Sequence, residues 1–175
     1  MSGDDNLPEQ QTRWLTVTQQ LSWRSYILGT HLLMQQLDRD LRQCHDLSFV
    51  EYEVLVRLSE APDRSLRMAH LAASLGYSRS RMTHTINRMQ QAGLVDRCAS
   101  SDDRRGVTAS LTDSGLALLS TAAVTHVDGV RRYLVDLVSE ADMAALGRVF
   151  DAVIAPLFKG LPDSADIRRT ATEPA

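Results

Sequence analysis

The chain has 175 residues, of which 43% are hydrophobic, and a formal net charge of −3. That length fits one domain with an added helical extension, and the apolar content is sufficient for a folded core. No stretch approaches the roughly 18 consecutive apolar residues that a membrane span requires. The polar, acidic start "MSGDDNLPEQQ" also lacks the pattern of a signal peptide. The composition therefore argues against a membrane protein, and we expect a cytoplasmic one.

Motifs that carry chemistry are not found in the sequence. Cys44 and Cys98 stand far apart, without CxxC or zinc-ligand spacing, so we expect two reduced thiols, no disulfide and no metal site. Nothing resembles a nucleophile elbow, a phosphate-binding glycine-rich loop, an HExxH helix or a pair of catalytic carboxylates. We therefore predict that the protein is not an enzyme and uses no cofactor.

The charge is unevenly distributed along the chain. The segment from Arg64 to Arg105 contains eight arginines and three acids, which gives it a net charge of +5 and leaves −8 for the other residues. A basic segment in an acidic molecule indicates one anion-binding face, and phosphate is the usual partner of such a face. This distribution favours nucleic acid as a ligand in spite of the overall charge.

The N-terminal part of the chain is predicted to be one long helix after a disordered lead, residues 1–12. Thr16 and Gln19 have the spacing of a capping box, which opens a helix that runs to about Cys44 within the segment 13–45. Its leucines follow two neighbouring stripes and form a wide apolar face: Leu21, Leu28, Leu32, Leu33, Leu37 and Leu41.

A shorter helix is predicted to follow. Ser48 and Glu51 form a second capping box, and the helix that it opens runs to about Ser59. Its inward positions are Tyr52, Leu55 and Leu58. The stretch "EAPDRS" then interrupts the helical pattern.

Two short helical patterns, "RMAHLAASLG" and "SRSRMTHTINRMQQAG", come next. Gly76 suits the left-handed residue that ends the first helix, and Ser78 is a natural N-cap for the second. About four residues separate the two helices, which is the spacing of a helix-turn-helix. The segments "LVDRCA" and "GVTASLT" then predict two strands of a hairpin, the second with alternating inward positions Val107, Ala109 and Leu111.

The C-terminal part is predicted to form two further helices within residues 113–160, followed by a disordered tail over 161–175. Thr112 caps a helix from about Asp113 to Leu137 with an apolar series at Leu116, Leu119, Ala123, Val127, Val130, Leu134 and Leu137. Ser139 caps the next, with Leu146, Val149, Phe150, Val153, Ile154, Leu157 and Phe158. The terminal helices carry more apolar surface than one small core covers, which predicts a partner subunit packed on both chain ends.

The helix that Ser78 opens has two distinct faces. With Met82 taken as inward, a rotation of roughly 100° per residue places Ile86 and Met89 on the same side. The opposite side carries Ser80, Thr83, His84 and Asn87, and arginines border it at Arg79, Arg81 and Arg88. Short polar groups between cations suit the major groove of DNA, where they meet base edges and phosphates. The alternative interpretation is an ordinary solvated helix surface.

The segment "LRMAHLAASLGYSRSRMTHTINRMQQAGLVDRCASSDDRRGVTASLTDSG" resembles the winged-helix region of the MarR family of bacterial transcription regulators. The motifs that carry the resemblance are "GLV" after the second helix, and "DRR" and "LTDSG" around the hairpin; they extend over roughly 47–119. The resemblance implies a mainly α fold with a small β-wing, in which a winged helix-turn-helix domain (46–112) is flanked by long N- and C-terminal dimerisation helices. Departures from the usual family pattern are the arginines at Arg79 and Arg81 and the histidine at His84, which affect base preference.

The resemblance also implies a function. A homodimer would place two recognition helices in successive major grooves of double-stranded DNA, at a pseudo-palindromic operator, and two wings in the flanking minor grooves. In this sequence Asp103 would hold the wing in shape by pairing with Arg105, and Arg105 with Arg104 would enter the minor groove. We therefore predict a sequence-specific transcription regulator, a repressor. An architectural protein that binds DNA without reading it is one alternative.

Family members commonly release DNA when a small phenolic or anionic effector binds near the junction of the two regions, and others respond to oxidation of a cysteine. Residues that suit such an effector pocket are Trp23, Tyr26, His31 and Tyr52, for which core or surface packing is the alternative role. Cys44, at the end of the first helix, is the candidate for a redox switch. A thiol-based regulator is therefore the second alternative.

Overall fold

A computed structural model describes residues 12–99 and 107–157. The helices within these residues are α1 (Val17–His45), α2 (Phe49–Ser59), α3 (Met68–Ser74), α4 (Arg79–Gln91), α5 (Asp113–Tyr133) and α6 (Glu140–Leu157). The strands are β1 (Ser65–Arg67), β2 (Val95–Ala99) and β3 (Val107–Leu111). The predicted fold class, mainly α with a small β-wing, is confirmed.

The predicted helix caps are present. Gln19 donates its backbone N–H to the Thr16 hydroxyl, and the Gln19 side chain accepts the Thr16 N–H at 2.9 Å, which completes the first capping box. The same reciprocal pair joins Ser48 and Glu51 at the start of α2. These contacts satisfy backbone N–H groups that have no partner within the helix. Both helices therefore begin where their local sequence directs.

The three strands form one antiparallel sheet in the order β1-β3-β2. On β3 the side chains of Ala109 and Leu111 are buried, as the alternation predicts. The sequence does not predict β1: it indicates a break at this point, followed by the start of a helix. Three residues show no periodicity, and β1 is a strand because Ser65 pairs with Ser110, far away in sequence.

The hydrophobic core of the described residues lies between α2, α3, α4 and the sheet, and α1 and α5 each contribute to it. Its largest fully buried side chains are Leu41, Leu47, Leu55, Leu58, Leu71, Met82, Ile86 and Met89. The start of α5 lies so close to the beginning of β2 that a Cβ on Gly115 would stand 2.2 Å from the Leu94 carbonyl oxygen. The glycine of the "LTDSG" motif is therefore a packing requirement at this junction.

The helix predicted from Asp113 to Leu137 is shorter than expected. α5 ends at Tyr133 because Leu134 leaves the helical conformation (φ −141°, ψ −65°), and a 3₁₀ turn follows over Val135–Leu137. Arg131 donates a hydrogen bond of 2.6 Å to Asp136 across this turn. The apolar spacing continues through the break, which is why periodicity alone predicted one uninterrupted helix.

The terminal helices expose apolar side chains along their length. α1 packs on α5 through a close approach of Gly129 to Leu37, and Tyr26 of α1 contacts Phe150 of α6 with ring centroids 5.5 Å apart. The large apolar side chains that remain exposed in this part of the chain include Leu21, Ile27, Leu28, Leu32, Val124, Val127, Val149, Val153 and Leu157. None of the helices within the described ranges has the length and apolar character to cross a membrane.

Candidate nucleic-acid interface

The helix α4 and the turn before it have the predicted geometry. Gly76 ends α3 with φ +67°, which a residue with a side chain rarely adopts, and the Ser78 hydroxyl accepts the backbone N–H of Arg81. Met82, Ile86 and Met89 are fully buried in the core, as predicted from their spacing, and Thr85 is buried beside them. One face of α4 is therefore packed in the core, and the opposite face is exposed to solvent.

The outward face of α4 carries the side chains that were predicted to contact DNA. Exposed on it are Arg79, Ser80, Arg81, Thr83, His84, Asn87 and Arg88. Thr83 donates its hydroxyl to the Arg79 carbonyl one turn earlier, at 2.9 Å. The face therefore combines small hydrogen-bonding groups with cations, although the DNA contacts themselves stay a prediction.

Arg81 is held by an aromatic residue of the turn. Its guanidinium lies 4.4 Å from the ring centroid of Tyr77, within the range of a cation–π contact. The Tyr77 hydroxyl in turn donates to the Glu53 carboxylate at 2.8 Å. Burial, together with the bond to Glu53, raises the pKa of Tyr77 to about 12, so that the phenol stays protonated and neutral. Arg81 is thus oriented from α2 through Tyr77.

Arg88 makes contacts that the sequence did not predict. Its Nε donates to the buried Glu51 carboxylate at 2.7 Å and its second guanidinium nitrogen to the Ser48 hydroxyl at 3.3 Å. Burial raises the pKa of Glu51, but the hydrogen bonds from Ser48 and Arg88 outweigh this and leave the pKa below its ordinary value. The Arg88 side chain is half exposed and joins α4 to the start of α2, which adds a structural role to its predicted contact with phosphate.

Arg97 of β2 is a residue of this surface that no sequence motif identified. One guanidinium nitrogen of Arg97 donates to the side-chain oxygen of Asn87 on α4. The signal that could have indicated it is the strand alternation, which places Arg97 two residues after the inward-facing Val95 and so on the side of the sheet toward α4. Arg97 links the sheet to the outward face of the helix.

The strands of the predicted wing are present up to its base, where Ala99 of β2 pairs with Val107 of β3. Asp103, which is predicted to hold the wing in shape, and Arg104 and Arg105, which are predicted to enter the minor groove, lie outside the described residues.

The predicted effector-pocket residues fall into two groups. Trp23 and His31 line one surface groove on α1, together with Arg24, Ile27 and Leu28. Tyr26 contacts the Trp23 ring with centroids 5.6 Å apart. Tyr52 does not join them. It is buried in the core, because its ring packs against His126 of α5, with centroids 4.6 Å apart.

His126 of α5, which packs against Tyr52, is a further residue that the sequence did not identify. It contacts Phe49 as well as Tyr52, and its Nδ1 atom is buried without a hydrogen-bond partner within the described part of the molecule. Burial lowers the pKa of His126, which favours the neutral ring. The half-buried histidine is therefore part of the packing between α2 and α5.

The cysteines and the potential metal ligands are placed as follows. Cys44 and Cys98 are both exposed and free. Across residues 12–99 and 107–157, no group of three or more His, Cys, Asp or Glu side chains is arranged to hold a metal ion.

Comparison with known proteins identifies relatives of this chain. A family model described as the MarR family matches residues 45–106. The chain is 32% identical over 110 residues to the HTH-type transcriptional regulator PecS of Dickeya dadantii, a match that covers 60% of this chain and 66% of PecS.

Two solved structures from Streptomyces coelicolor match nearly their whole length. Sco3205, a MarR family transcriptional regulator solved in complex with DNA, has a TM-score of 0.81 and 38% identity, and the match covers 89% of this chain and 95% of that one. AbsC, a second MarR family transcriptional regulator, has a TM-score of 0.76 and 41% identity, with coverage of 86% and 98%. With this fold, these motifs and these relatives, the chain belongs to the MarR family of transcriptional regulators.

Proposed function

We propose that this protein binds DNA in a sequence-specific manner, as a homodimer on a pseudo-palindromic operator, and acts as a repressor that a small effector releases. The observation that carries the proposal is the outward face of α4, where exposed Ser80, Thr83, His84 and Asn87 lie between arginines. Short polar side chains on a rigid helix can reach base edges in the major groove, while guanidinium groups meet phosphates. The related Sco3205 was solved in complex with DNA.

The homodimer is supported by the exposed apolar surface of the terminal helices. Leu28 of α1 is 59% exposed and Val153 of α6 is 45% exposed in the single chain. A soluble monomer rarely exposes so many large apolar side chains on adjoining helices, and a second copy is the usual cover. A twofold dimer presents its two α4 helices to DNA half-sites roughly one helical turn apart.

The wing supplies the second part of the proposed DNA contact. Asp103 would brace Arg105, and Arg105 with Arg104 would enter the minor groove beside each major-groove site. The pairing of Ala99 with Val107 supports this role, because it brings together the two strand ends that flank this segment.

The proposed effector is a small phenolic or other anionic molecule. The groove on α1 supports this class, because the indole of Trp23 offers an aromatic surface next to the cation of Arg24. Ile27 and Leu28 line this groove and also belong to the apolar face proposed for the dimer. Binding there would therefore act at the subunit interface and release DNA by changing how the terminal helices hold the two α4 helices. The assignment would be supported if such a compound lowers the operator affinity of the wild-type protein and leaves that of Trp23→Ala unchanged.

Selection of bound fragments from random and genomic duplexes tests the proposal, followed by fluorescence anisotropy at fixed salt. We expect a recovered palindrome that binds about a thousandfold tighter than random duplex. Arg79→Ala and Arg81→Ala should each weaken binding to it by about 1–3 kcal/mol, while Arg132→Ala on α5 should have no effect. Equal affinity for the recovered sequence and random DNA would favour the architectural alternative.

The thiol-based alternative rests on the exposure of Cys44 at the end of α1. If Cys44 is a redox switch, peroxide abolishes DNA binding and a reducing thiol restores the binding. Cys44→Ser then removes the response to peroxide, while Cys98→Ser keeps the response. Unchanged binding after peroxide treatment removes this alternative.

A further inference from the structure

We propose that Arg97 of β2 determines base preference by fixing the side-chain amide of Asn87, so that Asn87 presents N–H donors to the DNA. This inference rests on the proposed function, since it concerns how the outward face of α4 reads a base pair. It assigns a specificity role to a residue that lies in the sheet and outside the recognition helix.

The position of Arg97 follows from the strand. Val95 and Arg97 lie on the same side of β2, and Val95 is fully buried in the core. Arg97 stands directly opposite Ala109 on β3, whose side chain is small and buried. The side of β2 that carries Val95 faces α4. The long Arg97 side chain extends along this side to the exposed edge of the contact between β2 and α4, where it meets Asn87.

The chemistry of the pair determines which end of the amide Arg97 holds. A guanidinium has five N–H donors and no acceptor, so the group that it contacts on Asn87 must be the oxygen. The orientation of an asparagine amide is often ambiguous, but here the partner decides it. The NH₂ group of Asn87, with two hydrogens, is left as the end of the amide that is free to meet DNA.

This orientation changes what Asn87 is able to read. Asparagine recognises adenine by using both ends of the amide, since the oxygen accepts from N6 and the nitrogen donates to N7. Arg97 uses one of the two acceptor positions of the oxygen and holds the oxygen toward β2, so that the amide is not aligned for the bidentate contact with adenine. Two N–H donors match guanine, where N7 and O6 both accept, or thymine, where O4 accepts; adenine offers them N7 but places its own N6 donor beside it. The charge of Arg97 also polarises the amide and strengthens its N–H groups as donors.

The test is selection from a random duplex library with the full-length protein, followed by anisotropy titrations at several salt concentrations. Asn87→Ala first identifies the base pair that Asn87 reads, as the position at which preference disappears. The wild-type protein should prefer guanine or thymine there, and Arg97→Ala should move the preference to adenine by about tenfold, within the range expected for one bidentate contact. Arg97→Lys retains a donor and should keep the wild-type preference.

Several outcomes of the same experiment would contradict the proposal. The proposal is wrong if the wild-type protein prefers adenine at that position, or if Arg97→Ala leaves the preference unchanged. It is also wrong if Arg97→Ala weakens binding to all sequences equally and lowers the salt dependence by about one ion, because Arg97 would then be a phosphate contact. A thermal melt of each variant excludes misfolding. If the wild-type protein selects no sequence at all, the proposed function fails and this inference fails with it.

Discussion

The winged-helix region and the terminal helices differ in how completely each buries its apolar side chains. In the former, Leu55, Met82 and Ile86 are fully buried within one chain. In the latter, α6 has no buried residue among those described, and α1 is buried mainly near its C-terminal end, at Leu37 and Leu41. The unit that carries α4 is therefore complete within one chain, whereas the terminal helices are completed by a second copy under the proposed function.

The largest expected effect comes from a charge placed on the terminal helices. Leu28→Glu puts a carboxylate on the exposed apolar face of α1, where a partner subunit would have to bury it. We expect monomers by light scattering and a loss of operator affinity of about 10²–10⁴-fold, because each α4 then binds its half-site alone. Gln43→Glu, at the exposed end of the same helix, should remain dimeric. A monomeric wild-type protein would contradict the proposal that a second copy covers the terminal helices.

A matched pair of isoleucine substitutions sharpens the difference between the regions. Ile86→Ala should lower the free energy of unfolding by about 2–5 kcal/mol, because it leaves a cavity in a closed core. Ile27 on α1 is 48% exposed in the single chain, so Ile27→Ala should act mainly through the dimer. Urea unfolding at several protein concentrations separates the two, since the loss in Ile86→Ala is independent of concentration. The same concentration dependence in both variants would remove the distinction.

The hydrogen bonds at the start of α2, where the two regions meet, are also open to test. Asp38 of α1 accepts the backbone N–H of Phe49 at 2.8 Å, and next to it Glu51 accepts from Ser48 and Arg88. Glu51→Gln should lower the free energy of unfolding at neutral pH by about 1.5–3 kcal/mol, the range for a hydrogen bond to a charged group. Glu60 pairs with Arg57, and its side chain is more exposed than that of Glu51, so Glu60→Gln should have a smaller effect.

The pH dependence of this effect has a definite sign. The pKa of Glu51 is lower in the folded protein than its ordinary value of 4.5, so its carboxylate stabilises the fold above that pH. The stabilisation is lost as the pH falls through the lowered pKa. The difference between wild type and Glu51→Gln should therefore shrink when unfolding is measured below pH 4.5, and a difference that grows on acidification would contradict the assignment.

Features that depend on neighbouring residues were predictable from the sequence. The caps at Thr16, Ser48 and Ser78 each need a partner three residues away, which a reader of the sequence sees directly. The inward face of α4 follows in the same way from a period of about 3.6 residues. Local hydrogen bonds and helical periodicity thus account for most of the helix starts and for the side of α4 that faces outward.

Features that depend on distant residues were not predictable. β1 exists because of pairing with β3, and the inward-facing Tyr52 packs against His126 of α5, 74 positions later in the chain. Likewise, Arg88 meets a carboxylate 37 residues earlier in the chain. Sequence spacing carries no signal for such contacts, so the predicted phosphate contact of Arg88 gave no indication of its partner within the protein.

The smallest expected effects concern two glycines that differ in their surroundings. A Cβ on Gly115 would lie 2.2 Å from the Leu94 backbone oxygen and 2.7 Å from Leu111, so that α5 must shift away from the sheet. Gly147, in the interior of α6, would meet nothing within 4 Å. Gly115→Ala should therefore lower the free energy of unfolding by about 1–3 kcal/mol through overpacking. Gly147→Ala should raise it by about 0.5–1 kcal/mol, because alanine favours a helix interior more than glycine.

Opposite shifts of the urea midpoint in the two variants would show that α5 is fitted to the winged-helix region at its start, while α6 still has space along its surface. Destabilisation by Gly147→Ala that appears at high protein concentration and not at low would instead place Gly147 against the second copy.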